Sequence, residues 1–68
     1  MELKINNQNK QFSLDSLTIQ ALLDLEIPKK QNGIAVAINN TVIPKTNWNS
    51  YQLNETDDIL IISATQGG

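Results

Sequence analysis

Chemistry in this chain has to be found among few residue types. His, Cys and Arg are absent, which removes the imidazole base, the thiolate nucleophile and the nitrogen or sulfur ligands that zinc prefers. Carboxylates remain, but Asp15, Asp24, Glu26, Glu55, Asp57 and Asp58 fall in turn-like runs or on the polar side of a helical stretch, where such groups are solvated. A catalytic acid pair needs a cleft that shifts its pKa. The other candidate is the carboxylate of Gly68, preceded by Gly67. Terminal glycines ordinarily mark a loose end. Here, however, Thr65-Gln66-Gly67-Gly68 follows directly on an apolar run. Glycine has no Cβ, so an extended Gly-Gly segment passes through a channel too narrow for any other side chain and delivers a carboxylate to a distant site. The residues point to a substrate or partner of enzymes and not to a catalyst.

Sixty-eight residues allow one domain with a modest core, burying about 60% of the unfolded chain's surface. Without cysteine that core has no disulfide to lean on. The opening residues Met1 to Asn6 hold no apolar run suited to a signal peptide, and nowhere does an apolar stretch reach membrane-spanning length. A soluble cytoplasmic protein with no membrane partner is expected. The formal net charge is -2, and five scattered Lys make no basic stripe, so nucleic acid is not an expected partner.

The elements that must present the tail follow from periodicity. Leu3 and Ile5 alternate with polar neighbours, Asn7-Gln8-Asn9 supplies turn residues, and Phe12 and Leu14 alternate again, which reads as a β-hairpin with one buried face. From Leu17 to Ile27 the apolar residues Ile19, Leu22, Leu23 and Ile27 recur on one helical stripe. Thr18 is placed as the N-cap, with Leu17 and Leu22 as a hydrophobic staple, and Pro28 ends the helix before a polar loop from Lys29 to Gly33. Ile34 to Asn39 is apolar at both sets of alternate positions, as befits a strand inside a sheet. Asn39-Asn40-Thr41 then turns the chain into Val42-Ile43, a short strand that Pro44 ends or confines to an edge. Lys45 to Gln52 reads as irregular, with Trp48 and Tyr51 as aromatic plugs; core packing is the expected role of Trp48. A polar cluster, Asn54 to Asp58, leads into a last strand from Ile59 to Ala64. One helix after a hairpin and before two-faced strands covers one face of a mixed sheet, so the class is α+β.

At this point the segment Gly33 to Trp48 becomes informative. It has an Ala-Ile-Asn strand end (Ala37-Ile38-Asn39), a short turn, the apolar pair Val42-Ile43, Pro44, a basic residue and Trp48. Together with Thr18-Ile19-x-x-Leu22-Leu23 and terminal Gly67-Gly68, this pattern resembles the ThiS family, the sulfur carrier proteins of thiamine thiazole synthesis, over nearly the whole chain. The resemblance implies the ubiquitin-like β-grasp fold as a single domain over residues 1–68 with a flexible tail at 65–68. One departure is visible. The family usually carries Asp-Gly-Asp before the last strand, whereas this chain has Glu55-Thr56-Asp57. A β-branched Thr is costly at positive φ, so the turn either adopts another geometry or is mildly strained.

What the resemblance implies for chemistry is specific. A ThiF-like adenylating enzyme would use ATP to convert the Gly68 carboxylate to an acyl-adenylate, and a cysteine persulfide would then supply sulfur to give a thiocarboxylate. A ThiG-like thiazole synthase would receive that sulfur. The carrier itself would bind no cofactor and no metal; it would be a monomer when free. Gly68 would react, Gly67 would give passage, and Leu60, Ile62 and Gln66 would contact partners. If Ile59 and Ile61 face the helix, then Leu60 and Ile62 face outward beside Ala35 or Ala37 and form an apolar docking patch; alternatively the segment 41–53 folds over that face. Glu55, Asp57 and Asp58 are either charge-complementary to a basic partner or simply solvated. Three other readings use the same residues. They are a molybdopterin synthase small subunit, although the Pro-Pro those chains tend to carry before the terminal segment is missing here, a ubiquitin-like modifier, and a plain interaction domain.

Overall fold

The computed structural model describes residues 1–28 and 33–63. Lys29, Lys30, Gln31 and Asn32 of the expected loop, the expected strand end Ala64, and the tail residues Gln66, Gly67 and Gly68 lie outside the described residues. In chain order the elements are β1 (Glu2–Ile5), β2 (Gln8–Gln11), α1 (Ile19–Glu26), β3 (Ile34–Ile38), β4 (Thr41–Ile43), a 3-10 turn (Lys45–Asn47) and β5 (Asp58–Ser63). The five strands form one mixed sheet in the order β2-β1-β5-β3-β4, with β1 and β5 parallel and every other neighbouring pair antiparallel. The last described strand is therefore the sheet's centre, and β3 is internal beside it. This is the β-grasp arrangement.

Both hairpins close through a pair of asparagines. Asn6 and Asn7 have φ of 51° and 66°, and Asn39 and Asn40 have 51° and 71°. Two consecutive residues at positive φ match the right-handed twist of the strands they join, and Asn tolerates that region better than any other residue with a Cβ except Asp. The first hairpin thus turns at Asn6-Asn7, not at Asn7-Gln8-Asn9. The shift brings Gln8 to Gln11 into β2, an all-polar edge strand whose four residues are all exposed. Phe12 follows the strand and packs on the core's rim, while Leu14 is exposed. An edge strand with no apolar residue offers nothing for a second sheet to pair with hydrophobically.

The helix forms as its pattern requires. Thr18 sits in extended conformation and its Oγ1 accepts from the Ala21 N–H at 3.1 Å, satisfying a donor that the first turn would leave orphaned. Leu17, before the cap, and Leu22, four residues after it, are both in the core, as a hydrophobic staple demands. At the other end Ile27 leaves the helical region ahead of Pro28. Ile19, Leu22 and Leu23 pack against Leu3, Ile5, Val36, Ile38 and Ile59 from the sheet.

The stretch after β4 closes the core from the helix side. Trp48 is buried and its indole N–H donates to the Ile43 carbonyl at 3.0 Å, the partner a buried Trp needs. Main-chain bonds tie this stretch to the start of the helix: Ile19 N–H to Tyr51 O at 3.1 Å, Gln20 N–H to Trp48 O at 3.0 Å, and Leu53 N–H to Leu17 O at 2.8 Å.

The turn before β5 resolves the question raised by Thr56. Positive φ among the described non-glycine residues is confined to the four asparagines, so Thr56 is not in the left-handed region. Instead, the Asp57 N–H donates to Asn54 O at 3.0 Å, and Asp57 Oδ2 accepts from the Asn54 N–H at 2.9 Å. The side chain closes the turn in place of a glycine. Asp57 is consequently buried, at 7% exposure, which corrects the expectation that it is solvated or free to complement a partner.

Candidate functional site

The site is built on β5, whose sequence Asp58-Ile59-Leu60-Ile61-Ile62-Ser63 alternates across the sheet. Ile59 is fully buried and Ile61 packs against the core, so Leu60 and Ile62 point to the opposite face, where they are 44% and 46% exposed. Register decides their neighbours. Leu60 lies opposite Ala37 and Ile62 opposite Ala35, while on the far side Ala37 lies opposite Val42. Two alanines between larger residues leave the Leu60, Ile62 and Val42 side chains standing above the sheet. Val42 is the most exposed of the three, at 65%.

The alternative in which residues 41–53 cover this face is overturned. That segment bonds to Leu17, Ile19 and Gln20 and sends Trp48 and Leu53 into the core on the helix side. Among the described residues the sheet's other face is left open at Val42, Leu60 and Ile62. A shallow depression of ≈ 390 Å³ runs along it, lined by Asn7, Ala37, Asn40, Asp58 and Leu60, so the apolar patch borders two carboxamides and one carboxylate. Glu2 and Lys4 are the exposed residues of β1, the next strand, and Lys4 lies beside Asp58 in the ladder.

Of the expected acidic group, only Glu55 and Asp58 are exposed. Glu55 accepts from the Glu2 N–H at 3.3 Å, joining the turn to the chain's first strand. Asp57 is taken up by Asn54 and Asn39.

Where β5 runs toward the tail, its β1 neighbour has already turned away. The Asn6 carboxamide fills the gap: the Ile61 N–H donates to Asn6 Oδ1 at 2.8 Å, and Asn6 Nδ2 donates to the Ile61 carbonyl at 3.3 Å. A second cleft, ≈ 190 Å³, opens here on the helix side, bounded by Asn6, Ile61, Ser63 and the Lys10–Glu26 ion pair (2.6 Å).

The structure thus brings Leu60 and Ile62 together on one open face of the strand that leads to the tail, while Gln66, Gly67 and Gly68 lie outside the described residues. Sequence reasoning missed two contributors. Val42 was readable: a two-residue Asn39-Asn40 turn fixes the pairing of Thr41 with Ile38 and hence of Val42 with Ala37. Asn6 carried no such signal, because its partner is 55 residues away. No helix among the described residues is long and apolar enough to cross a membrane.

Comparison with known proteins agrees with this fold. The model of the ThiS family matches residues 3–68. Sulfur carrier protein ThiS of Escherichia coli (strain K12) is 29% identical over 68 residues, all of both chains. The crystal structure of a thiamine biosynthesis protein (ThiS) from Geobacter metallireducens matches with a TM-score of 0.85 at 19% identity, covering all of both chains; that likeness is one of fold.

Proposed function

Because this chain belongs to the ThiS family, we propose that it is a sulfur carrier of thiamine biosynthesis whose reacting group is the Gly68 carboxylate. A carboxylate is a poor electrophile, since its charge is delocalised over two oxygens. Activation by a ThiF-like enzyme joins the Gly68 carboxylate to the α-phosphate of ATP and releases pyrophosphate. A persulfide sulfur then attacks the acyl carbon and AMP leaves. Reductive cleavage of the resulting acyl disulfide by a thiol gives the Gly68 thiocarboxylate and a disulfide. The thiocarboxylate is ionised at neutral pH and more nucleophilic than the carboxylate it replaces. It passes its sulfur to a carbonyl-derived intermediate on a ThiG-like thiazole synthase, and the Gly68 carboxylate returns. The carrier holds no ATP; its own contribution is recognition and delivery.

The observation that carries this reading is the placement of Leu60 and Ile62, exposed on β5 in the strand that leads toward Gly67-Gly68. A partner that grips this face, with Val42 beside it, has the tail root in a fixed place relative to its grip. Binding energy from the sheet face then serves to position a reacting group that has few contacts of its own. A family match that runs through Gly68 supports the same reading.

Intact mass tests it. Incubated with ATP, a ThiF-type enzyme and a persulfide source with thiol, the protein is expected to gain about 16 Da, the change from –COOH to –COSH, and a variant lacking Gly68 is expected to gain nothing. An unchanged mass beside an enzyme that demonstrably loads its own carrier would overturn the proposal.

A further inference from the structure

β1 and β5 pair as parallel strands through Lys4–Asp58 and Ile5–Ile59, and the Asn6 N–H continues the ladder to Ile59 O at 2.9 Å. In a regular parallel ladder the next bond would run from the Ile61 N–H to the main-chain carbonyl of residue 6, and the one after it from the N–H of residue 8 to the Ile61 carbonyl. Neither forms, because positive φ at Asn6 and Asn7 swings the chain back into β2. One carboxamide replaces both. Asn6 Oδ1 takes the Ile61 N–H and Asn6 Nδ2 serves the Ile61 carbonyl, so an amide group stands in for the missing peptide of β1.

The replacement sits at a consequential place. Ile61 lies between the two exposed residues of the docking face and two positions before Ser63, the last described residue. On its other side β5 is already held by β3 as far as Ser63 opposite Ile34. Without the carboxamide, the strand end from Leu60 onward would be held along one edge only. Few side chains meet all the demands at position 6. Gly accepts positive φ but has no amide; Asp accepts positive φ and supplies the acceptor but no donor; Gln carries the same amide on a longer arm and is less at ease at positive φ.

We propose that Asn6 is a positioning residue for the tail chemistry. Its clamp on Ile61 ties the docking face to the end of the described strand at Ser63, so that a partner seated on Leu60 and Ile62 meets that strand end in a fixed place. The proposal rests on the sulfur-carrier reading above, and it deepens that reading by adding a residue that acts through Ile61.

The test compares wild type, Asn6→Gly and Asn6→Asp in two assays: amide hydrogen exchange by NMR, and steady-state formation of the thiocarboxylate by a ThiF-type enzyme with the carrier as varied substrate. Thr18→Ala, which weakens the fold at the helix start, serves as a destabilised control. In Asn6→Gly, exchange at the Ile61 amide is expected to rise about fivefold or more, with Val36 and Ile38 unchanged. Its kcat is expected to fall about tenfold while KM stays within about twofold, the signature of lost positioning and not of lost grip. Asn6→Asp, which keeps the acceptor, is expected to recover part of kcat, and Thr18→Ala to retain all of it. An Asn6→Gly variant with kcat within about twofold of wild type, or a loss of kcat matched by Thr18→Ala, would overturn the positioning role. If Asn6→Gly fails to fold, the proposal stands or falls on the Asn6→Asp split between kcat and KM. Wild-type protein that gains no sulfur from an active enzyme would overturn the functional reading and the coupling with it; wild-type gain with an indifferent Asn6 overturns the coupling alone.

Discussion

Asn39 Nδ2 donates to Asp57 Oδ1 at 3.0 Å, tying the β3–β4 turn to the turn that leads into β5. The bond is one of a set. Asp57 Oδ2 accepts from the Asn54 N–H, the Asp58 N–H donates to Asn39 Oδ1 at 2.9 Å, and the Asn39 N–H donates to the Asp58 carbonyl at 2.9 Å. Two loops far apart in sequence are thereby held in one geometry at the start of the central strand.

Removing Asp57 leaves the Asn54 N–H and the Asn39 carboxamide without their acceptor, so Asp57→Ala is expected to destabilise the fold by about 1–3 kcal/mol. Urea unfolding followed by circular dichroism measures this. Combined with Asn39→Gly, which preserves the positive φ, the double-mutant cycle is expected to show a coupling of about 0.5–1.5 kcal/mol. Additive losses would mean that the two side chains act separately.

Trp48 carries both bulk and a hydrogen bond. Trp48→Phe keeps most of the ring but removes the indole N–H bond to the Ile43 carbonyl, which the β3–β4 ladder still engages, for an expected cost of about 0.5–1.5 kcal/mol. Trp48→Ala opens a cavity and is expected to cost about 3–5 kcal/mol, most of what a domain of this size has. As the chain has a single Trp, wild-type unfolding is followed by its fluorescence and the variants by circular dichroism.

On the open face, Leu60→Asp and Ile62→Asp are expected to change stability by less than about 1 kcal/mol, because neither side chain leaves water on folding to the extent a core residue does. Loading by the adenylating enzyme is expected to be lost in both. Ile59→Asp, one position away and facing the helix, is expected to unfold the protein. Unfolding by Leu60→Asp as well would show that the face is buried in solution.

Thr18→Ala removes the side-chain acceptor for the Ala21 N–H and is expected to cost about 1 kcal/mol, read from the urea midpoint with an unchanged slope.

Much of this architecture was legible in the sequence because hydropathy period reports which side of an element meets the core. The stripe Ile19, Leu22, Leu23 with Thr18 before it and Pro28 after it located the helix to within a residue or two, whereas Ile59 to Ile62 is apolar at every position, so the sequence alone left open whether the Leu60 and Ile62 face was covered. Polar segments gave less. Gln8 to Gln11 carries no alternation, since an edge strand over no core has none to show, and its register was readable only from the positive-φ preference of the Asn6-Asn7 pair. Asp57 was misread as solvated because a carboxylate in a polar run looks the same whether it closes its own turn or faces water. Its burial, like the Asn6 clamp, depends on partners distant in sequence, which no local pattern encodes.

The parallel pairing of the first strand with the last described one has a kinetic side. Ile59 in β5 completes a core whose other members lie upstream of it, and β5 has a strand on either side. Contacts of this span close late, because the loop entropy must be met before they form. A chain interrupted anywhere before residue 59 would lack the sheet's midline and have no open face to display. The strand that forms the sheet's midline and the strand that bears Leu60 and Ile62 are thus one and the same, so the open face exists only in a chain that has folded through β5.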